Sequence, residues 1–129
     1  MTMDMYQENI LDHYAHPRNK GILDPVDFKA KDNNPLCGDV LEVFVRLGDD
    51  KKVTEVTFEG NGCAISQAAM SMLSDDLKGK SLEEVEKMTA DDIRELVLVP
   101  LSPVRLKCAV LGIKAVQKGL AEYNAGHPH

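Results

Sequence analysis

Hydrophobic and polar positions alternate with a period of two along residues 40–47, and again along 52–59. On the outward arm Leu41, Val43, Val45 and Leu47 share one face, while Glu42, Phe44 and Arg46 share the other. On the return arm Thr54, Val56 and Phe58 oppose Glu55, Thr57 and Glu59. Gly48, Asp49, Asp50 and Lys51 lie between the arms, so the pattern predicts an antiparallel hairpin. Elsewhere the period lengthens to three and four. Met3, Tyr6, Ile10, Leu11 and Tyr14 predict an amphipathic helix over residues 4–16. It stops at His16-Pro17, because a residue before proline avoids the helical region. Ile65, Ala68, Ala69, Met72, Leu73 and Leu77 predict a helix over 64–78, with Gly79 as its C-cap. Ser81 and Glu84 form a capping box that opens a short helix to Met88, and Thr89 with Asp92 opens another to Val97. Ser102 as N-cap and Pro103 at the first helical position start a single last helix. Leu106, Ala109, Val110, Ile113, Val116 and Leu120 line one of its faces, and Cys108, Leu111, Gly112 and Ala115 a second. A lone hairpin is marginal in water, and alternation over Val26–Lys31 offers a third strand. Strands followed by a run of helices predict an α+β fold: a small three-stranded antiparallel sheet with about five helices packed mainly on one face.

Bulk numbers narrow the partners. A chain of 129 residues suits one domain, 1–129. The formal net charge is −6, with no long basic run, which argues against nucleic acid or an anionic membrane as partner. No apolar run approaches the ~20 residues that span a bilayer. The first residues lack a charged-then-apolar leader pattern. Three cysteines are an odd number and widely spaced, unlike a secreted disulfide framework. A reducing, cytoplasmic setting is expected.

Register turns two of those cysteines into a pair. A turn centred between Asp49 and Asp50 pairs residues whose numbers add to about 99, and 37 and 63 come within one of that. Cys37 and Cys63 therefore sit nearly opposite each other at the open end of the hairpin. Gly38 lets the chain turn tightly and return Asp39 toward the Cys37 thiol. Gly60 and Gly62 flank Asn61 just before Cys63, which opens the next helix, where unpaired N–H groups favour a thiolate. Cys108 lies within two turns of a helix start. Three sulfurs and a carboxylate suit tetrahedral zinc or the open edge of an iron–sulfur cluster. The competing reading is that scattered cysteines are buried small hydrophobes. Cysteines bracketed by glycine in turns are poor core residues, which weakens that reading for Cys37 and Cys63. Asp12, His13 and His16 also invite a metal reading, against which stands a solvated face of the first helix. The two histidines of the tail, His127 and His129, carry no argument.

Three segments carry a family resemblance: Pro35-Leu36-Cys37-Gly38-Asp39, Gly60-Asn61-Gly62-Cys63-Ala64-Ile65-Ser66, and Leu101-Ser102-Pro103-Val104-Arg105-Leu106-Lys107-Cys108. With the opening helix and His16-Pro17-Arg18-Asn19, they resemble the IscU / NifU N-terminal family of iron–sulfur cluster assembly scaffolds. The resemblance runs over nearly the whole chain. It implies a compact α+β domain that takes persulfide sulfur from a cysteine desulfurase, binds iron, builds a 2Fe-2S cluster on three cysteines and passes it to apo iron–sulfur proteins. It implies Cys37, Cys63 and Cys108 as sulfur ligands, Cys108 as the preferred persulfide acceptor, and Asp39 as the fourth or modulating ligand. Zn(2+) can take the place of the cluster. A carboxylate binds soft iron–sulfur iron less well than thiolate, so the set forms an incomplete cage suited to release.

Two departures matter. Lys107 stands where typical bacterial scaffolds have histidine; it could support the Cys108 thiolate or simply be solvated. Ser102 and Arg105 depart from the form a dedicated chaperone reads, which argues against that partner. The runner-up function is a zinc-bound sulfurtransferase relay resembling the SufU branch, which shares the cysteines and lacks the histidine. The insertion that branch usually carries between the second and third cysteines is missing here. A cysteine hydrolase would need a base beside its nucleophile, and no histidine falls among the three motifs. Homo-oligomerisation is left open.

Overall fold

A computed structural model of the chain describes residues 2–35 and 38–126. Its elements run in the expected order. Helix α1 (Thr2–Ala15) comes first, then strands β1 (Phe28–Asn34), β2 (Asp39–Leu47) and β3 (Val53–Asn61). Helices α2 (Ala64–Asp76), α3 (Leu82–Glu86), α4 (Ala90–Val97), α5 (Pro103–Ala109) and α6 (Leu111–Gly126) follow. The sheet has the order β1-β2-β3 and is antiparallel throughout.

Alternation along the strands explains the core. Leu41, Val43 and Val45 of β2 and Val56 and Phe58 of β3 are fully buried. Phe28 and Ala30 of β1 are nearly so. Each of the larger side chains contributes roughly 1.5–3 kcal/mol on leaving water. Helices α2 and α6 close over the sheet, α6 against β1 and β2 and α2 against β3. Gly119 of α6 lets the helix approach β1, since a Cβ there would come within 2.9 Å of Phe28 and 3.0 Å of Ala30. The strand edges are managed differently. β1 presents exposed Lys29 and Lys31 on its open edge strand. The edge of β3 is covered by the connector: Phe58 N–H donates to Asn19 and Gly21 N–H donates to the Phe58 carbonyl.

Several expectations need correction. The hairpin pairs Val40 with Asn61 and Glu42 with Glu59, two residues from the register a turn at Asp49-Asp50 would set. The register shifts between Arg46 and Leu47, and the turn closes with Gly48 N–H on the Lys52 carbonyl. A shift of two keeps β2's inward set inward. Beyond the irregularity the phase breaks: Val53 is buried, and Thr54 is exposed with its hydroxyl donating to the Arg46 carbonyl. The third strand runs Phe28–Asn34 rather than 26–31. On α1, Ile10 is buried, but Leu11 is 59% exposed and Tyr14 48%.

Six helices are present among the described residues, because the expected last helix is two. The chain turns at Val110, whose N–H still bonds the Leu106 carbonyl while Lys114 N–H bonds that of Val110. Both predicted faces are buried apart from the half-buried Leu106, while Lys107, Lys114 and Lys118 face solvent. Helix α6 runs to Gly126; 127–129, with their two histidines, lie outside the described residues. The caps form as read. Ser81 and Thr89 make capping boxes with Glu84 and Asp92, and the Ser102 hydroxyl accepts from Arg105 N–H. No helix among the described residues is long and apolar enough to cross a membrane.

Candidate metal centre

Four elements meet at one pole of the sheet: the end of β1, the start of β2, the end of β3 leading into α2, and α5. Asp39 lies in phase with Leu41, Val43 and Val45, so β2 carries its carboxylate inward, where it is 3% exposed. A buried carboxylate needs donors, and Cys63 N–H donates to Asp39 Oδ1 at 3.0 Å. Cys63 is the N-cap of α2, as the periodicity predicted, and its side chain makes no capping bond. Its thiol is left at the exposed mouth of the site, 3.8 Å from the Ser66 hydroxyl. The Ser66 hydroxyl in turn donates to the Cys63 carbonyl at 3.1 Å.

The glycine turn before Cys63 has a steric reason. Gly60 has φ +142, and a Cβ on it would strike the Val40 carbonyl oxygen across the hairpin. A Cβ on Gly62 would meet the Ser66 hydroxyl, and would come within 3.1 Å of the Asp39 carboxyl carbon. A side chain there would have to push aside the Ser66 hydroxyl and crowd the Asp39 carboxylate.

Cys108 arrives from far along the sequence. It is 5% exposed, on the inward face of α5. One ligand atom each from Asp39, Cys63 and Cys108 lies within 4.8 Å of the others. Two ligands of a single ion bound at about 2.3 Å stand at most about 4.6 Å apart. The trio is therefore close to the size of a shell around one ion, and its two sulfurs and one oxygen suit zinc. Cys37 lies outside the described residues.

Other candidates are not brought here. Lys107 is exposed and lines a separate groove with Met88, Leu106 and Lys114. Asp12 pairs with Arg18 at 2.6 Å. His13 Nδ1 lies 2.7 Å from the Ser71 hydroxyl, which also accepts from Arg18 N–H at 2.8 Å. Burial, chiefly, with the nearby Arg18 charge, holds the His13 imidazole below its ordinary value of 6.5. These groups stitch α1 and its following loop to α2, so His13 is neither a ligand in this cluster nor part of a solvated face.

Two residues at the pole were not read from the sequence as parts of the site. Arg105 lines the same groove as Cys63 and Cys108, a space of about 640 Å³ walled by Ile10, Leu11, Ile65 and Leu101. Its spacing of three from Cys108 on one helix was the available signal. Asn34 is 7% exposed, and its Nδ2 donates to Cys108 Sγ at 3.8 Å. An asparagine before proline reads as turn chemistry, and nothing local ties it to a sulfur 74 residues away.

Comparison with known proteins places this arrangement among relatives. The profile of the NifU-like N terminal domain matches residues 5–128. The zinc-dependent sulfurtransferase SufU of Bacillus subtilis is 37% identical over 140 aligned positions, covering 95% of this chain and 94% of the relative. The iron–sulfur cluster assembly scaffold protein IscU of Rickettsia prowazekii is 34% identical over 125, covering 92% and 91%. The N-terminal part of a NifU-like protein from Brucella abortus superposes with a TM-score of 0.75 at 20% identity, covering 96% of this chain and 97% of that one, and speaks for the fold alone.

Proposed function

Because the chain belongs to the NifU-like N-terminal domain family, we propose that it is a scaffold for iron–sulfur cluster assembly. It accepts sulfur from a cysteine desulfurase, holds iron and sulfide as a labile 2Fe-2S cluster, and delivers the cluster to apo-proteins. The observation that carries this reading is the meeting of Asp39, Cys63 and Cys108 within 4.8 Å. Cys37 joins them as the third sulfur ligand. Cys108 is the persulfide acceptor. Its thiolate attacks the outer sulfur of the desulfurase persulfide, the sulfur–sulfur bond there breaks, and the desulfurase thiolate leaves. The buried Cys108 and the exposed Cys63 line the same groove. The Arg105 guanidinium on the same groove favours the negative charge that each sulfur species carries. Asp39 supplies oxygen where a fourth thiolate would close the cage, so cargo can leave.

One observation favours a second reading, a zinc-bound sulfur relay. The donor trio is close to the size of a single-ion shell. A zinc held by Asp39, Cys63, Cys108 and Cys37 would keep the thiols deprotonated. In that case Asp39 orients Cys63 through its backbone N–H, and Arg105 attracts the incoming sulfur.

One anaerobic experiment separates the two. The protein is mixed with a cysteine desulfurase, cysteine and ferrous iron, and its visible spectrum and metal content are followed. Charge-transfer bands with bound iron and sulfide support the scaffold. Retained zinc with faster desulfurase turnover supports the relay. Neither outcome would overturn the assignment to sulfur chemistry.

A further inference from the structure

Asparagine is depleted from strands, and a buried amide requires partners. Asn34 ends β1 facing inward at 7% exposure, so its place there needs a reason. It touches two arms of the metal centre. Through its backbone, it pairs with Asp39 across the β1–β2 ladder, and its carbonyl accepts from Gly38 N–H at 2.8 Å. Through its side chain, the amide Nδ2 donates to Cys108 Sγ at 3.8 Å. Sulfur is a weak acceptor as a thiol and a stronger one as a thiolate, because a donor facing a charge gains strength.

We infer that Asn34 is a positioning residue of this centre: its amide holds the Cys108 sulfur on the side of Asp39 and Cys63, and tempers how strongly that sulfur gives electron density to a metal. The inference rests on the reading of the site as a metal centre. A donor N–H drains electron density from the sulfur, which places sulfur-to-metal charge transfer at higher energy. It also fixes the sulfur's direction, since the amide is itself anchored by the strand end. Partners of this kind typically carry about 10–100-fold of metal affinity. The backbone bonds of Asn34 survive any side-chain change, so the ladder to Asp39 is not what a substitution removes.

The test uses cobalt as a spectroscopic stand-in for zinc on the full chain, comparing the parent with Asn34→Ala and Asn34→Leu. Asn34→Leu keeps close to the shape, loses the donor and adds no ligand, and it decides the matter if the alanine variant fails to fold by circular dichroism. The expected result is a shift of the sulfur-to-cobalt bands to longer wavelength, with loss of cobalt to a chelator about tenfold faster or more. Bands and release rate equal to the parent's, in a folded variant, would overturn the role of Asn34 and leave the metal centre standing. A parent protein that takes up no cobalt and shows no such bands would instead remove the metal reading on which this one rests.

Discussion

Two clusters of chemically capable residues lie on this molecule, and they have opposite characters. At the pole of the sheet, Asp39, Cys63 and Cys108 converge on one another beside an open groove. On the seam between α1 and α2, His13, Arg18, Asn19, Ser71 and Ser74 are bound to each other instead. The Asn19 amide donates to Ser74 and Asp75, and the Ser74 hydroxyl donates to the Ser71 carbonyl at 2.6 Å. Both clusters join segments distant in sequence. The seam spends its hydrogen bonds on holding a helix in place, while the pole aims its ligand atoms at a shared space. A histidine beside a serine and an aspartate is therefore not a site by composition; what matters is whether the donors face a common point that something else can occupy.

Substitutions can sharpen that contrast. The largest effect is expected from Cys108→Ser: metal affinity measured by chelator competition should fall by more than the roughly 100-fold that loss of a supporting partner can cost. An unchanged affinity would end the reading of the pole as a metal centre. Gly62→Ala should follow, with affinity reduced about tenfold or more, because the added methyl displaces the Asp39 carboxylate or the Ser66 hydroxyl. Arg105→Ala should slow sulfur acceptance from the desulfurase by roughly tenfold at low salt, with the gap narrowing as salt rises. Arg105→Lys should recover part of the loss.

On the seam, His13→Ala should cost about 1 kcal/mol of stability, the scale of one hydrogen bond, and leave metal affinity untouched. The seam should also carry a pH signature. His13 is held below 6.5 in the folded chain, so the unfolded chain binds a proton first as pH falls. Its contribution is complete above 6.5 and is lost as pH drops through the lower folded value. Melting temperatures measured from neutral to mildly acidic pH should decline less steeply in His13→Ala than in the parent. The smallest effect is expected for Lys107→Ala, within about 0.5 kcal/mol, since the side chain is exposed and lines a different groove from the cysteines.

Helix starts were the most legible feature of the chain. Ser81, Thr89 and Ser102 each cap the helix they were expected to open, because capping is decided within four residues. The inward set of β2 was legible for the same reason: alternation is local, and a slip of two residues leaves it intact. The slip itself was not legible, since an irregularity between Arg46 and Leu47 depends on how the turn closes. The break at Val110 was hidden as well, because continuous helical periodicity carries no signal for a bend that only packing requires.

The candidate site divides along the same line. Sequence alone determined which groups were available: a carboxylate in phase with the core face of β2, a cysteine at the head of α2, and a cysteine near the start of a late helix. Those are properties of short stretches, governed by backbone period and by the chemistry of helix ends. Only the tertiary structure decided that Cys108 stands with the other two, that Asn34 reaches it across 74 residues, and that Arg105 shares its groove while Lys107 does not. Those facts follow from how α5 packs on α2 and α6 on the sheet, and such packing is a balance over the whole core that no single stretch contains.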